Sequence, residues 1–255
     1  MEQKKLLLSI MVVGMMSSAA LAVAPIGPPV ASLAEGQYAV GLGYAMVDLE
    51  ACFDTGFTTR KSVQNAEVNA YYGKIGYGIS DTWCASVTLG MSDLKADADQ
   101  IPVGGSDFDS DAKFMYGLAM KKTLHDNGTD TKWGAALQYM RGRSKDTLST
   151  ASRFGNGAMN VGPATVSLDW YMVQLAAGPS IQLNPDVSVY GGPFLMFVDG
   201  HIRANTGGNG ELEENVELGG FIGTIINLGG NAGLNLEFLF SDQSWGAGIG
   251  AMFPL

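Results

Sequence analysis

The sequence predicts an all-β fold, an antiparallel up-and-down transmembrane β-barrel of about ten strands, with about eight to twelve compatible with the same pattern. Three observations lead there. Large apolar and small residues alternate with a period of two in run after run, and the connections between runs alternate long and short. No apolar stretch after the first two dozen residues is long enough for a membrane helix, although mean hydropathy is +0.11 in a chain of net charge −10. If the chain meets lipid, it does so as strands.

The first residues read as an export signal: Lys4 and Lys5, the apolar run Leu6 to Met16, then Ser17-Ser18-Ala19-Ala20-Leu21-Ala22, with a cut after Ala22 or alternatively Ala24. The competing reading is an uncleaved anchor over Leu6 to Ala24. Residues 1–22 are accordingly a signal peptide, 23–35 a short periplasmic segment and 36–255 the barrel. Removing 1–22 leaves 13 basic residues against 24 acidic ones, a surface that disfavours nucleic acid as a partner.

Tyr38, Val40, Leu42, Tyr44 and Met46 alternate with Ala39, Gly41, Gly43 and Ala45. Bulk on one face and the smallest residues on the other is the reverse of a soluble sandwich. The pattern recurs over Val68 to Ile79, Trp83 to Met91, Lys113 to Lys121, Trp133 to Met140, Val166 to Leu183, Val187 to Val198, Leu234 to Phe240 and Trp245 to Phe253, and is poor over Leu218 to Leu228. Short turns centre on Asp81, Asn127, Pro185, Gly230 and Ser241-Asp242, and long connections cover 51–63, 93–110, 142–163 and 200–214. Long loops outside, short turns in the periplasm and an even strand number fit together with both termini in the periplasm.

The period assigns the faces. A lipid-facing belt takes Tyr38, Tyr44, Tyr77, Tyr116, Trp133, Phe238, Phe240 and Phe253, and the lumen takes Lys74, Lys113, Lys121, Gln138, Gln174, Asn235 and Glu237 among Gly and Ala. Such an interior is either a closed lumen with Lys–Glu pairs, Glu237 near Lys74 or Lys121, or a narrow, weakly selective pore that the small residues leave open to water. Cys52 and Cys84 fall at opposite ends of their strands, too far apart for a disulfide, and both are expected to stay unpaired.

The phrases Tyr77-Gly78-Ile79-Ser80-Asp81-Thr82-Trp83 and Val189-Tyr190-Gly191-Gly192-Pro193-Phe194, with the Gly-alternating end Gly246 to Phe253, resemble the small bacterial outer-membrane β-barrel superfamily that includes porin-like proteins and the barrel of outer-membrane protein A. The resemblance runs through the whole mature chain. It implies an outer-membrane location, contact with outer-membrane lipid and lipopolysaccharide, and insertion by the barrel-assembly machinery, and it implies no catalytic residue and no cofactor. The end Phe253-Pro254-Leu255 departs from the terminal aromatic residue usual in such barrels.

Motifs for chemistry are sparse. Asp107, Asp109 and Asp111 have the spacing of half a calcium loop, but Ala112 and Leu118 stand where its glycine and glutamate belong, so the segment reads as a solvated acidic loop without a metal. Arg143 and Lys145 make the segment 141–153 basic, suited to lipopolysaccharide phosphates or to acidic neighbours. Of two histidines, His125 falls in a periplasmic turn, and His201, with Asp199 two residues before it, lacks a nucleophile in sequence. The leading reading is therefore a non-enzymatic integral barrel, structural or a narrow pore, with long outer loops for surface interaction. The rivals are a lipid- or peptide-hydrolase with His201 at the rim and a soluble periplasmic ligand-binding barrel.

Overall fold

The computed structural model describes residues 24–54, 61–96, 108–148, 151–152, 160–161, 164–205, 209–229, 232–242 and 244–255. Ten strands form the wall: β1 Tyr38–Asp54, β2 Lys61–Ser80, β3 Trp83–Ala96, β4 Lys113–Asp126, β5 Thr131–Leu148, β6 Ala164–Asn184, β7 Val187–Ala204, β8 Asn209–Gly229, β9 Ala232–Phe240 and β10 Ser244–Pro254. Each pairs antiparallel with the next. β10 returns to β1 along a continuous register from Ala39↔Pro254 to Leu49↔Ser244, so the sheet closes and no wall strand is left as a free edge. A two-residue strand, Phe108–Asp109, adds to the outer end of β3.

The alternation that predicts the strands also sets their faces. Leu42, Tyr71, Ile75, Phe114, Leu118 and Leu218 point outward, each more than half exposed. In water such a surface would aggregate, whereas in a bilayer it is the face a spanning barrel must present. Aromatic rings bound this band. Toward the outside, Phe114, Tyr116, Tyr139, Tyr171 and Phe197 follow one another with centroid steps of 6.3–6.5 Å. Tyr44 against Tyr71 at 4.9 Å, and Phe238 against Phe240 and Trp245 at 6.2 Å, add outward rings on the neighbouring strands. At the periplasmic end Tyr38 meets Tyr77 at 4.7 Å, and Lys122 lays its ammonium 4.7 Å above the Trp83 ring, an apolar stem with a polar tip at the interface. All eight belt residues named from the sequence occupy outward positions of their strands.

The strands run well past the hydrocarbon. β6 and β8 have 21 residues each and β5 has 18, against roughly 9–11 needed for a tilted crossing. Much of what the sequence assigns to outer loops is therefore strand: β5 continues to Leu148, β7 to Ala204, and β8 begins at Asn209. The physical reason is that the outward face leaves the lipid there and turns polar. Alternation fades while the ladder continues, with Arg143 opposite Asp169, Lys145 opposite Ser167 and Thr147 opposite Thr165. Arg143 Nε donates to Asp169 Oδ1 at 2.6 Å, an outward pair, so this arginine is engaged within the wall.

The weak periodicity over 218–228 has a local cause. In β8 the inward positions include Phe221 and Ile225, while Gly220 and Thr224 face out, which reverses the size rule followed elsewhere. Gly220 sits beneath the Phe240 ring, so the outward surface is covered from β9. β9 and β10 are the shortest wall strands, 9 and 11 residues, and above their hairpin β1 and β8 pair directly at Phe53↔Leu212 and Asp54↔Glu211. The periplasmic turn after β4 is fixed by Asp126, whose carboxylate pairs with Lys132 at 2.8 Å and accepts from the Gly128 amide at 3.0 Å. Lys132 first, then that amide, hold it below the ordinary aspartate range. Gly128 supplies the left-handed turn conformation, φ +71°.

Leu42→Arg places a charge in the outward apolar band and should destabilise the folded barrel by about 2–4 kcal/mol, whereas Thr147→Arg, on the outer extension, should change stability by less than about 0.5 kcal/mol. Urea unfolding in detergent or lipid, read by heat-modifiable gel migration, checks both.

Candidate functional site

The lumen is a large enclosed surface built by all the wall strands, and it is filled in layers. In its outer half, Met115, Met140, Met172 and Met196, one from each of β4 to β7, are at most 1% exposed. They join Val47, Val68, Leu94, Phe108, Val166 and Val198 in one apolar cluster. Unbranched thioethers suit this irregular space because three rotatable bonds let them fill gaps. Above and below these methionines, rings lie over glycines of the neighbouring strand: Trp170 over Gly142 on the outer side, and Tyr72 over Gly43, Phe194 over Gly219 and Tyr190 over Gly223 toward the periplasm. A Cβ at any of these glycines would fall on the ring. The small inward residues that suggest a water path thus mark where a large side chain from the next strand comes to rest.

The remaining space is taken by the chain itself. Residues 24–34, which the sequence places in the periplasm as part of 23–35, run inside the barrel as a strap, with Ala24, Ile26, Val30 and Leu33 buried. Local chemistry explains this. Pro25, Pro28 and Pro29 carry no amide N–H, so an apolar segment enters the lumen with few donors to satisfy. The Ile26 and Gly27 amides donate to Glu237 Oε1 at 2.8 Å and Oε2 at 2.7 Å, and Ala31 N donates to Thr123 Oγ1 at 3.1 Å. Gln138 Nε2 donates to the Ala24 carbonyl at 3.0 Å. Gly27 adopts φ +72°, the left-handed bend that turns two successive amides toward one carboxyl group. Wall glycines make room on the other side: Gly134 faces the Pro29 carbonyl, Gly78 the Ala34 carbonyl and Gly248 the Pro25 ring. The strap leaves the lumen where Gly36 N donates to Gly78 O at 2.9 Å and passes into β1.

Glu237 is therefore the hub. Besides the two strap amides it lies 2.8 Å from the Tyr190 hydroxyl, which is also 2.7 Å from Asn235 Oδ1. Glu237 makes no direct ion pair with Lys74 or Lys121, although its charge acts on both lysines. Lys121 Nζ packs against Gly27 instead, 3.0 Å from where a Cβ would be, so lysine and glutamate flank the strap from two sides. Lys74, Lys121, Gln138, Gln174, Asn235 and Glu237 all face the lumen, as the period predicts. Lys113 shares that parity but sits at the outer rim, 3.4 Å from Asp111 Oδ2. Gln174, opposite Gln138 on the next strand, buries both side-chain polar atoms without a protein partner.

The other sequence candidates do not converge. Asp109 faces Lys95 at 3.8 Å and Asp111 faces Lys113, while Asp107 lies outside the described residues. No group of three possible metal ligands forms among the described residues. His201 points out of the barrel, and Asp199 accepts from the Tyr171 hydroxyl at 2.7 Å rather than orienting the histidine. Cys84 is a free, buried thiol beside Leu33 and Ala39, and the side chain of Cys52 lies outside the described residues. Sequence reasoning missed the strap, Tyr190, and Glu217, which accepts from Ser241 and Ser244 at 2.9 and 3.1 Å and ties the β9–β10 hairpin to the lumen. The signal for the strap was present in Ala24-Pro25-Ile26-Gly27-Pro28-Pro29-Val30, too apolar for a tail in water.

Glu237→Ala leaves two strap amides without their acceptor, at roughly 1–3 kcal/mol each, while the Tyr190 hydroxyl keeps Asn235 Oδ1. Limited proteolysis of the detergent-folded barrel should then cleave within 24–34, with the wall intact, whereas the unsubstituted protein resists.

No protein-family model matches the sequence, and no curated protein matches it. Among solved structures the chain is similar in outline to an outer membrane channel of the COG4313 group from Pseudomonas putida F1, at 8% identity and a TM-score of 0.47 over 92% of this chain and 100% of that one. It is also similar to the translocator domain of the autotransporter NalP from Neisseria meningitidis, at 10% identity and 0.45 over 87% and 89%. The outer membrane protein OprG from Pseudomonas aeruginosa matches at 10% and 0.42 over 88% and 97%. By its own closed antiparallel wall, outward apolar band and aromatic girdles, the chain has the fold of an outer-membrane β-barrel.

Proposed function

We propose that this chain is an exported, integral protein of a bacterial outer membrane whose barrel is closed, and that it acts as a structural and surface-interacting protein rather than as a pore. The observation that carries this reading is the methionine layer: four side chains from four adjacent strands, each at most 1% exposed, fill the outer half of the lumen. Ten strands enclose little more than their own side chains to begin with. The strap adds a second obstruction below the first.

What such a barrel offers to its surroundings is its outer rim. The wall continues past the girdles as paired strands that carry Lys95, Arg143, Lys145, Arg203, Asp109 and Asp169, a mixed-charge surface suited to lipopolysaccharide phosphates and neighbouring envelope components. The outward apolar band would take outer-membrane lipid, and insertion would fall to the barrel-assembly machinery.

In planar bilayers the full mature protein should show no stable conductance step. Deleting residues 25–33 should leave it silent too, because the methionine layer is built by the wall alone. A steady ohmic channel from the intact protein would contradict the closed-lumen reading.

A further inference from the structure

The strap and the wall leave one part of the lumen unfilled, a cavity of about 220 Å³ between residues 25–33 and the inner faces of β1 to β4 and β8 to β10. It extends to Asn227, Gly233 and Pro254, at the periplasmic ends of β8, β9 and β10. That volume is far above the roughly 10–15 Å³ that one water requires. Its lining is unusual in charge. Among the described residues two charged side chains border it, Lys74 and Lys121, and no carboxylate does.

Among the described residues, Glu237 and Glu217 are the buried acidic groups on the lumen side, and the hydrogen bonds of both go to other partners. Both oxygens of Glu237 bind the strap amides and the Tyr190 hydroxyl. Glu217 lies in the outer half, tied to Ser241 and Ser244. Neither lysine forms an ion pair among the described residues. Glu237 is the carboxylate whose charge reaches both lysines, so two ammonium groups drawn out of water share a single opposite charge that is already tied to the strap. Around them stand neutral polar groups that suit an oxyanion: the Tyr72 hydroxyl, Ser86 and the Asn235 amide also line the space.

We propose that this cavity is a binding site for a small oxyanion, a carboxylate or phosphate group, entering from the periplasm and held between Lys74 and Lys121. The site needs a closed wall and the strap, but not conduction, so it stands apart from the question of the pore. It gives the two lysines a second counter-charge beside Glu237 and gives the periplasmic mouth of a closed barrel a ligand of its own. Lys121 touches both the strap at Gly27 and the cavity, so an occupied site and a seated strap share one side chain.

The test is titration of the detergent-folded mature protein with inorganic phosphate, and separately with acetate, at constant ionic strength balanced with sodium chloride, followed by isothermal calorimetry. One saturable site is expected for at least one of the two anions, and which binds tighter tells phosphate from carboxylate chemistry. Lys74→Met or Lys121→Met should weaken binding at least tenfold. Lys74→Arg should keep it within threefold, and Lys113→Met, at the outer rim, should leave it unchanged. Heat-modifiable migration shows that each variant still closes. No saturable binding of either anion, or binding that survives in the Lys74→Met, Lys121→Met double variant, would overturn the proposal. A barrel that conducts yet binds through these lysines would refute the closed lumen alone, and a silent barrel that binds nothing would refute this site alone.

Discussion

Two hydrogen bonds from successive amides of the strap to one carboxyl group organise the interior of this barrel. Glu237 rises from β9, the shortest wall strand, and takes the Ile26 and Gly27 amides at 2.8 and 2.7 Å. With them it decides what the lumen contains. The residues around it follow from that choice: Gly223 and Gly248 on the flanking strands leave room, Tyr190 crosses over Gly223 to meet the same carboxyl group, and the Pro25 ring occupies the hollow over Gly248. A buried polar group in a low-dielectric interior is tolerated only when fully partnered, and a backbone segment rich in proline is one of the few that can be partnered by a single side chain.

The rest of the lumen is governed by volume. An interior too narrow for a wide aqueous channel must be packed or hold ordered water, and here size is distributed in opposition between neighbouring strands. Glycine on one strand lies beneath an aromatic ring of the next, four times over, and the four methionines pack the outer half beside the buried Glu217. The apolar outer layer and the polar periplasmic half are therefore different solvents within one barrel. Lys74 and Lys121 lie in the second, next to the strap and away from the methionines.

Much of this was legible in the sequence, and the part that was not has physical reasons. The period of two places Leu42 outward and Lys74 inward because one face meets lipid and the other does not, and that contrast is strong within the bilayer. It vanishes beyond the girdles, where the outward Arg143 meets water and the small polar Ser144 is buried inside, so the continuing ladder of β5 reads as loop. The Leu218 to Leu228 stretch reads poorly because Phe221 points in and Gly220 out, a reversal made good by Phe240 from another strand. The period puts Lys74, Gln138 and Glu237 on the inward face, but it does not name their partners. Which lysine meets which glutamate depends on shear and on the strap, and neither has a signature in local alternation. The clue to the strap lies in composition, three prolines among apolar residues ahead of the first strand, and it becomes readable only beside the inward glycines that receive them.

The central claim is that residues 24–34 lie inside the barrel. The Pro25 Cβ is 3.4 Å from the position a Cβ would take at Gly248, close to the span of a disulfide. The decisive measurement is oxidation of the Pro25→Cys, Gly248→Cys variant, made in a Cys52→Ser, Cys84→Ser background and inserted in membranes, followed by peptide mapping. A single cross-link joining residues 25 and 248 is the predicted result. Two free thiols, with residue 25 open to a maleimide too large to enter the barrel, would contradict it.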